Sequence, residues 1–197
     1  TLMPVIIYFH GGGFVRGNKD GNRNVADYFA SLGLIGVNAT YRLAPEAKWP
    51  DGANDIGAAV AWVKENIADF GGDPNQIFVV AKSAAAAHAA TYVFRPDLLD
   101  ARTVMATGVI MVSGTYDADT STASQNRIDY FGEDLSRWPE ISTIGNVSSV
   151  ETPVMFTVSE FDLNRSLVGT AALINEYAEK AGQLPRFVQL MRHNHYS

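Results

Sequence analysis

Short apolar segments alternate along the chain with segments of helical periodicity, and this alternation limits the fold more than any other feature of the sequence. The first apolar run, Pro-Val-Ile-Ile-Tyr-Phe at residues 4–9, is typical of a strand that is buried on both faces of a parallel sheet. Further strands are predicted at residues 34–41, 76–80, 104–112, 154–158 and 187–190. Helices are predicted at residues 23–32, 53–70, 84–93 and 165–181. This order predicts an α/β fold with a mostly parallel sheet, right-handed crossovers and helices on both faces.

A length of 197 residues fits one domain, and no linker or internal repeat divides the chain. Residues 115–152 fit the alternating pattern least well, because they carry a polar run and a Trp-Pro pair instead of an apolar segment. A loop of this length inside a compact domain is usually functional. We therefore expect residues 115–152 to form a long loop or a lid-like insertion, with a mobile surface insertion as the alternative.

Composition excludes several classes of function. The net charge of −6 argues against a nucleic-acid partner. The absence of cysteine excludes disulfides, thiolate nucleophiles and cysteine-type zinc sites, and it leaves the redox compartment undetermined. No apolar run approaches the ~20 residues of a membrane span. A cytoplasmic location is the default expectation.

The sequence His-Gly-Gly-Gly-Phe at residues 10–14 follows the first predicted strand directly. Three successive glycines let a backbone approach a ligand closely and adopt conformations that are closed to other residues. Such a loop can direct N–H groups at a developing oxyanion. An ordinary glycine-rich turn is the alternative; a phosphate-binding loop is disfavoured because no Gly-Lys-Ser/Thr follows.

Ser83 stands between a predicted strand and a predicted helix, within Ala-Lys-Ser-Ala-Ala at residues 81–85. A nucleophile elbow needs this strand–turn–helix setting, because the sharp turn exposes the serine hydroxyl at a helix N-terminus. It also needs small residues two positions before and after the serine. The motif alone is weak, since a serine in this place is more often a helix N-cap.

Two further candidates follow the last two predicted strands. Asp162 comes after the strand at residues 154–158, and His195 comes after the strand at residues 187–190. Since the carboxyl ends of parallel strands share one edge of the sheet, we expect Ser83, Asp162 and His195 to meet there. His195 would then take the serine proton, and Asp162 would orient the imidazole. Alternatively the aspartate is a solvated loop charge and the histidine a capping donor; a metal site at His193 and His195 lacks a third ligand.

With these motifs, the chain resembles the hormone-sensitive-lipase-like branch of the α/β-hydrolases, close to bacterial carboxylesterases and feruloyl-esterase-like proteins. Matching stretches lie at residues 10–14, 41–46, 49–50, 61–63, 70–74, 160–162 and 193–195, and around Ser83. The resemblance implies a single catalytic domain over residues 1–197 and ester hydrolysis without a cofactor or metal. It also implies that the N–H groups of Gly12, Gly13 and Ala84 form an oxyanion hole.

The chain departs from the family pattern at three positions. Ala81 and Ala85 stand where the elbow normally has glycine, and Arg192 stands where a glycine usually precedes the His-Asn-His stretch. An extra methyl group in a tight place costs ~1–3 kcal/mol when its surroundings cannot yield, so we expect a slightly open elbow. The family also has strands before residue 4 and a helix after His195, and we expect these first strands and this last helix to be missing.

The sequence thus predicts a serine hydrolase that cleaves carboxylic esters of small or medium size through an acyl-enzyme on Ser83. Two alternatives stay open: a non-catalytic protein that binds a small ligand on the same fold, and an amidase-type hydrolase similar to arylformamidases. The expected partner is a small-molecule ester, with no nucleic acid and no membrane span, and a homodimer is a possible assembly.

Overall fold

Six parallel strands form one sheet within residues 2–101 and 103–197, the residues that the computed structural model describes. Their order across the sheet is β2-β1-β3-β4-β5-β6, and every neighbouring pair is parallel. The strands are β1 (Met3–Phe9), β2 (Ile35–Ala39), β3 (Gly72–Lys82), β4 (Gly108–Val112), β5 (Val154–Phe161) and β6 (Arg186–Asn194). The predicted α/β class with a parallel sheet is therefore confirmed.

Six α-helices connect or follow these strands in the described part of the chain. They are α1 (Arg23–Ser31), α2 (Asp51–Asn66), α3 (Ala84–Phe94), α4 (Gln125–Phe131), α5 (Trp138–Ile141) and α6 (Asn164–Ala181). The predicted helix at residues 53–70 is divided: α2 ends at Asn66, and one 3-10 turn continues to Phe70. Gly71 then ends the turn with a left-handed backbone (φ 83°), which glycine adopts without strain.

The two faces of the sheet pack against unequal layers. Alternate side chains of β1, such as Val5 and Ile7, enter a large core that also contains residues of α2, α3 and α6. The intervening side chains, Ile6 and Tyr8, pack in a smaller core against α1. Every residue of α3 is buried, because its run of alanines lets the helix lie close to the sheet. Helices thus cover both faces, as predicted.

Strand β4 is shorter than predicted, since it begins at Gly108 and not at residue 104. Two groups of the preceding backbone bond to a side chain and not to a neighbouring strand. The Tyr92 hydroxyl accepts the N–H of Ala106 (2.7 Å) and donates to the carbonyl of Val104 (2.6 Å). Position 102, inside the same connection, lies outside the described residues.

Residues 115–152, where we expected a long loop or lid-like insertion, contain α4, α5 and two 3-10 turns. These short helices were not predicted. They are held by packing, since Trp138 is fully buried and Tyr130 is 2% exposed. The segment passes beside the carboxyl edge of the sheet and supplies part of the candidate site described next.

Candidate active site

The glycine loop and Ser83 meet at the carboxyl edge of the sheet. The loop follows β1 and Ser83 follows β3, and these strands are neighbours in the sheet. The chain order reverses between them, and such switch points open the crevice where α/β sheets bind ligands. The approach is close: a Cβ atom on Gly11 would lie 3.1 Å from Cβ of Ser83.

Ser83 has the backbone of a nucleophile elbow. Its φ of 57° and ψ of −117° are unusual for a residue with a side chain, and the turn joins β3 to α3. Its N–H donates to the carbonyl of Val112 at 2.8 Å, which fixes the turn to β4. The methyl groups of Ala81 and Ala85 have no exposed surface. Both methyl groups are accommodated in the core. The expected slight opening of the elbow is not seen, because the Ser83 hydroxyl stays within hydrogen-bond distance of His195.

The three predicted side chains form a continuous hydrogen-bonded series. Oγ of Ser83 lies 3.0 Å from Nε2 of His195. Nδ1 of His195 lies 2.7 Å from Oδ1 of Asp162. The side chain of His195 is 10% exposed and that of Asp162 is fully buried. This spacing allows a proton to pass between the serine and the imidazole while the carboxylate holds the ring.

The Asp162 carboxylate is buried but well supplied with donors. Oδ2 accepts hydrogen bonds from the Ser113 hydroxyl and from the N–H of Ser159 (3.1 Å), and Oδ1 accepts the N–H of Leu163 (2.8 Å). Burial by itself would raise the pKa of Asp162. The hydrogen bonds from Ser113, His195 and the two backbone groups outweigh it and hold the pKa below its ordinary value. The carboxylate is therefore ionised at neutral pH.

Ser113 is a site residue that sequence reasoning missed. It follows β4 directly, has φ of 52°, and is 2% exposed. It thus occupies the same kind of strand-end position as Ser83, Asp162 and His195. That position was the signal that could have identified it, since a polar residue after a predicted strand faces the same edge of the sheet.

The glycine loop adopts conformations that need glycine. Gly12 has φ of 143°, and a Cβ atom there would lie 1.8 Å from the carbonyl oxygen of Arg16. Gly13 has φ of 59°. Ala84 is the first residue of α3, and the N–H groups of a first helical turn have no partner inside the helix. The glycine loop and the first turn of α3 thus both offer backbone N–H groups beside Ser83 as hydrogen-bond donors.

Two cavities reach Ser83. The first, here named cavity I, has a volume of about 150 Å³ and is lined by Gly13, Ser83 and Ala84 together with residues of the 115–152 segment. The second, cavity II, has a volume of about 390 Å³ and is lined by Gly12, Ser83 and His195. His195 lines cavity II and does not line cavity I.

A buried aromatic and histidine cluster supports the loop from below. His10 stacks on Tyr41 with ring centroids 4.7 Å apart, and Phe14 stacks on Tyr130 at 4.5 Å. The Tyr130 hydroxyl is 2.9 Å from Nδ1 of His88. Burial, with a smaller effect of nearby His10, lowers the pKa of His88 to about 3. His88 is therefore neutral at all ordinary pH values.

His193 takes no part in the series, because it lies exposed on β6. Residue Glu160, close to Asp162, accepts the backbone N–H of Arg192 at 2.7 Å. Within the described residues, no group of three or more His, Cys, Asp or Glu side chains is arranged to hold a metal ion.

Comparison with known proteins identifies the family. A sequence model described as the alpha/beta hydrolase fold matches residues 6–168. The chain belongs to this family. The resemblance predicted from the motifs is thereby confirmed, and the six-stranded parallel sheet with its flanking helices is an α/β-hydrolase fold.

Curated relatives of this α/β-hydrolase match over part of their length. Carboxylesterase NlhH of Mycobacterium tuberculosis is 46% identical over 83 residues, which are 42% of this chain and 26% of that protein. Probable carboxylic ester hydrolase LipM of the same species is 40% identical over 82 residues, 41% of this chain and 19% of that protein. The match thus spans about a quarter or less of these relatives.

Solved structures agree with the fold over almost the whole chain. Esterase 2 of Thermogutta terrifontis superposes with a TM-score of 0.77 at 24% identity, covering 98% of this chain and 74% of that one. Carboxyl esterase 2 of the fungus Tuber melanosporum gives a TM-score of 0.79 at 20% identity, covering 98% of this chain and 70% of that one.

In the described part of the chain, none of the helices has the length and apolar character that a bilayer crossing requires.

Proposed function

We propose that this α/β-hydrolase is a serine hydrolase that cleaves carboxylic esters of small or medium size, with Ser83, His195 and Asp162 as its catalytic triad. The observation that carries the proposal is the unbroken series of hydrogen bonds from Ser83 Oγ through His195 to Asp162, 3.0 Å and 2.7 Å long. It lies beside a glycine loop that offers N–H groups. The named esterases among the relatives support the same reaction class.

In the proposed first half-reaction, Nε2 of His195 accepts the proton of Ser83 while Oγ attacks the ester carbonyl carbon. The N–H groups of Gly12, Gly13 and Ala84 donate to the oxygen that becomes negative. His195 then gives its proton to the leaving alcohol, and an acyl-enzyme stays on Ser83. In the second half-reaction, His195 takes a proton from water as the water oxygen attacks the acyl carbon. The bond to Ser83 Oγ then breaks, the carboxylic acid leaves, and His195 returns the proton to Ser83. Asp162, ionised throughout, holds the imidazole in the required tautomer.

The test combines turnover with covalent labelling. The variants Ser83→Ala, His195→Ala and Asp162→Asn should each lower kcat on p-nitrophenyl esters by about 10³-fold or more, since the triad acts as a unit. A fluorophosphonate probe should label wild-type protein on Ser83, as read by mass spectrometry. Ser31→Ala, an exposed serine at the end of α1, is the matched control and should keep wild-type activity and labelling. Circular dichroism checks that each variant folds.

Wild-type turnover in a folded Ser83→Ala variant would contradict the nucleophile assignment. The same assays separate the alternatives. A non-catalytic binding protein would show neither turnover nor labelling. An arylformamidase-like enzyme would label on Ser83 but cleave an N-formyl arylamine faster than the aryl ester of the same acyl group.

A further inference from the structure

Cavity I is polar and carries two guanidinium groups beside the proposed nucleophile. Arg127 of α4 and Arg165 of α6 both line it, together with Ser83. Side chains of Thr122, Ser124 and Asn126 line it as well. Within the described residues neither arginine forms an ion pair with the triad, and the proposed reaction on an uncharged ester does not require them. Two cations in the wall of a cavity favour a ligand that carries negative charge.

Arg127 is a buried cation with spare hydrogen-bonding capacity. The residue is only 6% exposed, and its guanidinium carbon lies 5.4 Å from the Phe131 ring centroid and 5.6 Å from that of Trp138. One terminal nitrogen donates to the main-chain oxygen of Asp117 at 2.8 Å. Its Nε has no hydrogen-bond partner, and the side chain forms no ion pair with a carboxylate of the described residues. The two aromatic faces and the nearby Asp117 offset part of the cost of this buried charge, and an anionic ligand would lower the cost further.

Arg165 adds a second, exposed cation from the first turn of α6. It too forms no ion pair within the described residues. The carboxylates of Asp117 and Asp119 are near enough to offset part of the positive charge. Both line a third cavity, which is neither cavity I nor cavity II. Burial raises the pKa of Asp117, and Asp119 is engaged by the N–H and hydroxyl of Ser121. The charged side chains that line cavity I are therefore both cations.

The position of His195 decides which part of an ester enters cavity I. The leaving alcohol must receive its proton from Nε2 of His195, so its oxygen has to lie on the side of Ser83 that His195 occupies. That side is cavity II. The acyl group then extends into cavity I, past Gly13 and Ala84. A volume of about 150 Å³ matches a cavity that accommodates one benzene molecule, so a short acyl chain fits.

We propose that Arg127 and Arg165 form an anion subsite for the acyl group, and that the substrates are hemiesters of short dicarboxylic acids such as succinate. This inference rests on the proposed ester hydrolysis. The planar forks of arginine match both oxygens of a carboxylate, and the distal carboxylate of a succinyl group would accept hydrogen bonds from terminal nitrogens of Arg127 and Arg165. The carboxylate takes no part in bond making. The ester bond breaks, water is consumed, and a dicarboxylate, an alcohol and one proton are released.

The test compares two esters of equal shape and different charge. Monoethyl succinate carries a carboxylate at the end of its acyl group, whereas ethyl succinamate carries an uncharged amide in the same place. We expect wild-type kcat/KM to be at least tenfold higher for monoethyl succinate at low salt, with a smaller ratio at high salt. Arg165→Met and Arg127→Met should bring the ratio close to one, and Arg127→Lys should retain part of it. Arg137→Met, an exposed arginine that lines neither cavity, should leave the ratio unchanged.

Arg165 is exposed, so Arg165→Met tests the subsite even if Arg127→Met fails to fold. A ratio near one in wild-type protein that cleaves ethyl succinamate through Ser83 would overturn the subsite and leave the hydrolase intact. O-Butyryl glycolate carries its carboxylate on the alcohol side of the ester. A preference for a carboxylate on that side would also overturn the subsite.

If p-nitrophenyl esters are cleaved but neither succinyl ester is, the subsite is overturned and the hydrolase stands. If no ester of either kind is cleaved, the proposed function fails, and the subsite is judged by binding alone. Titration of succinate into Ser83→Ala by calorimetry should then show binding that Arg165→Met abolishes. Absence of succinate binding would overturn the subsite as well.

Discussion

At the scale of single residues, Arg192 shows what a departure from the family pattern means physically. The residue has φ of 65°, in the left-handed region that costs a residue with a Cβ about 1–2 kcal/mol. Its N–H donates to the carboxylate of Glu160 at 2.7 Å, which helps to hold this conformation next to the site. The glycine that the family usually has here would adopt the same backbone without strain.

Arg192→Gly should therefore leave stability unchanged or raise the free energy of unfolding by up to about 1.5 kcal/mol. The gain is the relieved strain, and the greater freedom of glycine in the unfolded chain offsets about 0.4–1 kcal/mol of it. Urea denaturation measures the difference. Arg186→Gly, on the same strand without a positive φ, is the control and should be destabilising. Equal destabilisation by both variants would show that position 192 is not strained.

At the scale of elements, helix α6 holds the end of the 115–152 segment through one side chain. The two carboxylate oxygens of Glu176 accept the backbone N–H groups of Gly145 (2.7 Å) and Val147 (3.0 Å). Hydrogen bonds to a charged acceptor are about twice as strong as neutral ones. The contact fixes the part of the segment that follows α5, and the segment in turn supplies Arg127 to cavity I.

Glu176→Ala should lower the free energy of unfolding by about 1–3 kcal/mol, because the N–H of buried Val147 and the N–H of exposed Gly145 lose their charged acceptor. Hydrogen exchange of the amides at positions 145 and 147 should accelerate in the same variant. Glu179→Ala is the matched control on the same helix, since Glu179 is exposed and accepts only the side-chain amide of Asn175. If Glu179→Ala cost as much stability as Glu176→Ala, the loss would reflect the helix itself and not its contact with the segment.

At the scale of the whole molecule, the buried His88 couples stability to pH. Its pKa of about 3 in the folded protein compares with about 6.5 in an unfolded chain. Between these values the unfolded state binds a proton that the folded state does not. Stability is therefore complete above about pH 6.5 and falls as the pH falls, by about 1.4 kcal/mol for each unit.

Urea denaturation between pH 7 and 5 measures this slope. Asp162 does not contribute to the slope there, because its lowered pKa affects stability only at lower pH. His88→Gln removes the ionisable group and should flatten the profile, whereas His193→Gln, an exposed histidine, should leave the slope in place. A slope that survives in a folded His88→Gln variant would mean that another group causes the loss.

The sequence by itself determined the type and order of the main elements, because periodicity and apolar runs are local properties of the chain. It also predicted that Ser83, Asp162 and His195 would meet. The carboxyl ends of parallel strands lie on one edge of a sheet, so residues that follow three such strands are brought together whatever the details of packing. Their catalytic roles, and the oxyanion roles of Gly12, Gly13 and Ala84, stay proposals.

Only the tertiary structure decided what surrounds these residues. Helices α4 and α5 are too short to be stable by themselves, so their sequences carry little local signal, and buried side chains such as Trp138 hold them in place. The contact of Ser113 with Asp162 joins the ends of two strands 49 positions apart. Arg127 and Arg165 share cavity I because α4 and α6 pack beside the same edge of the sheet. Contacts of this kind depend on how elements pack together, which no local pattern in the chain encodes.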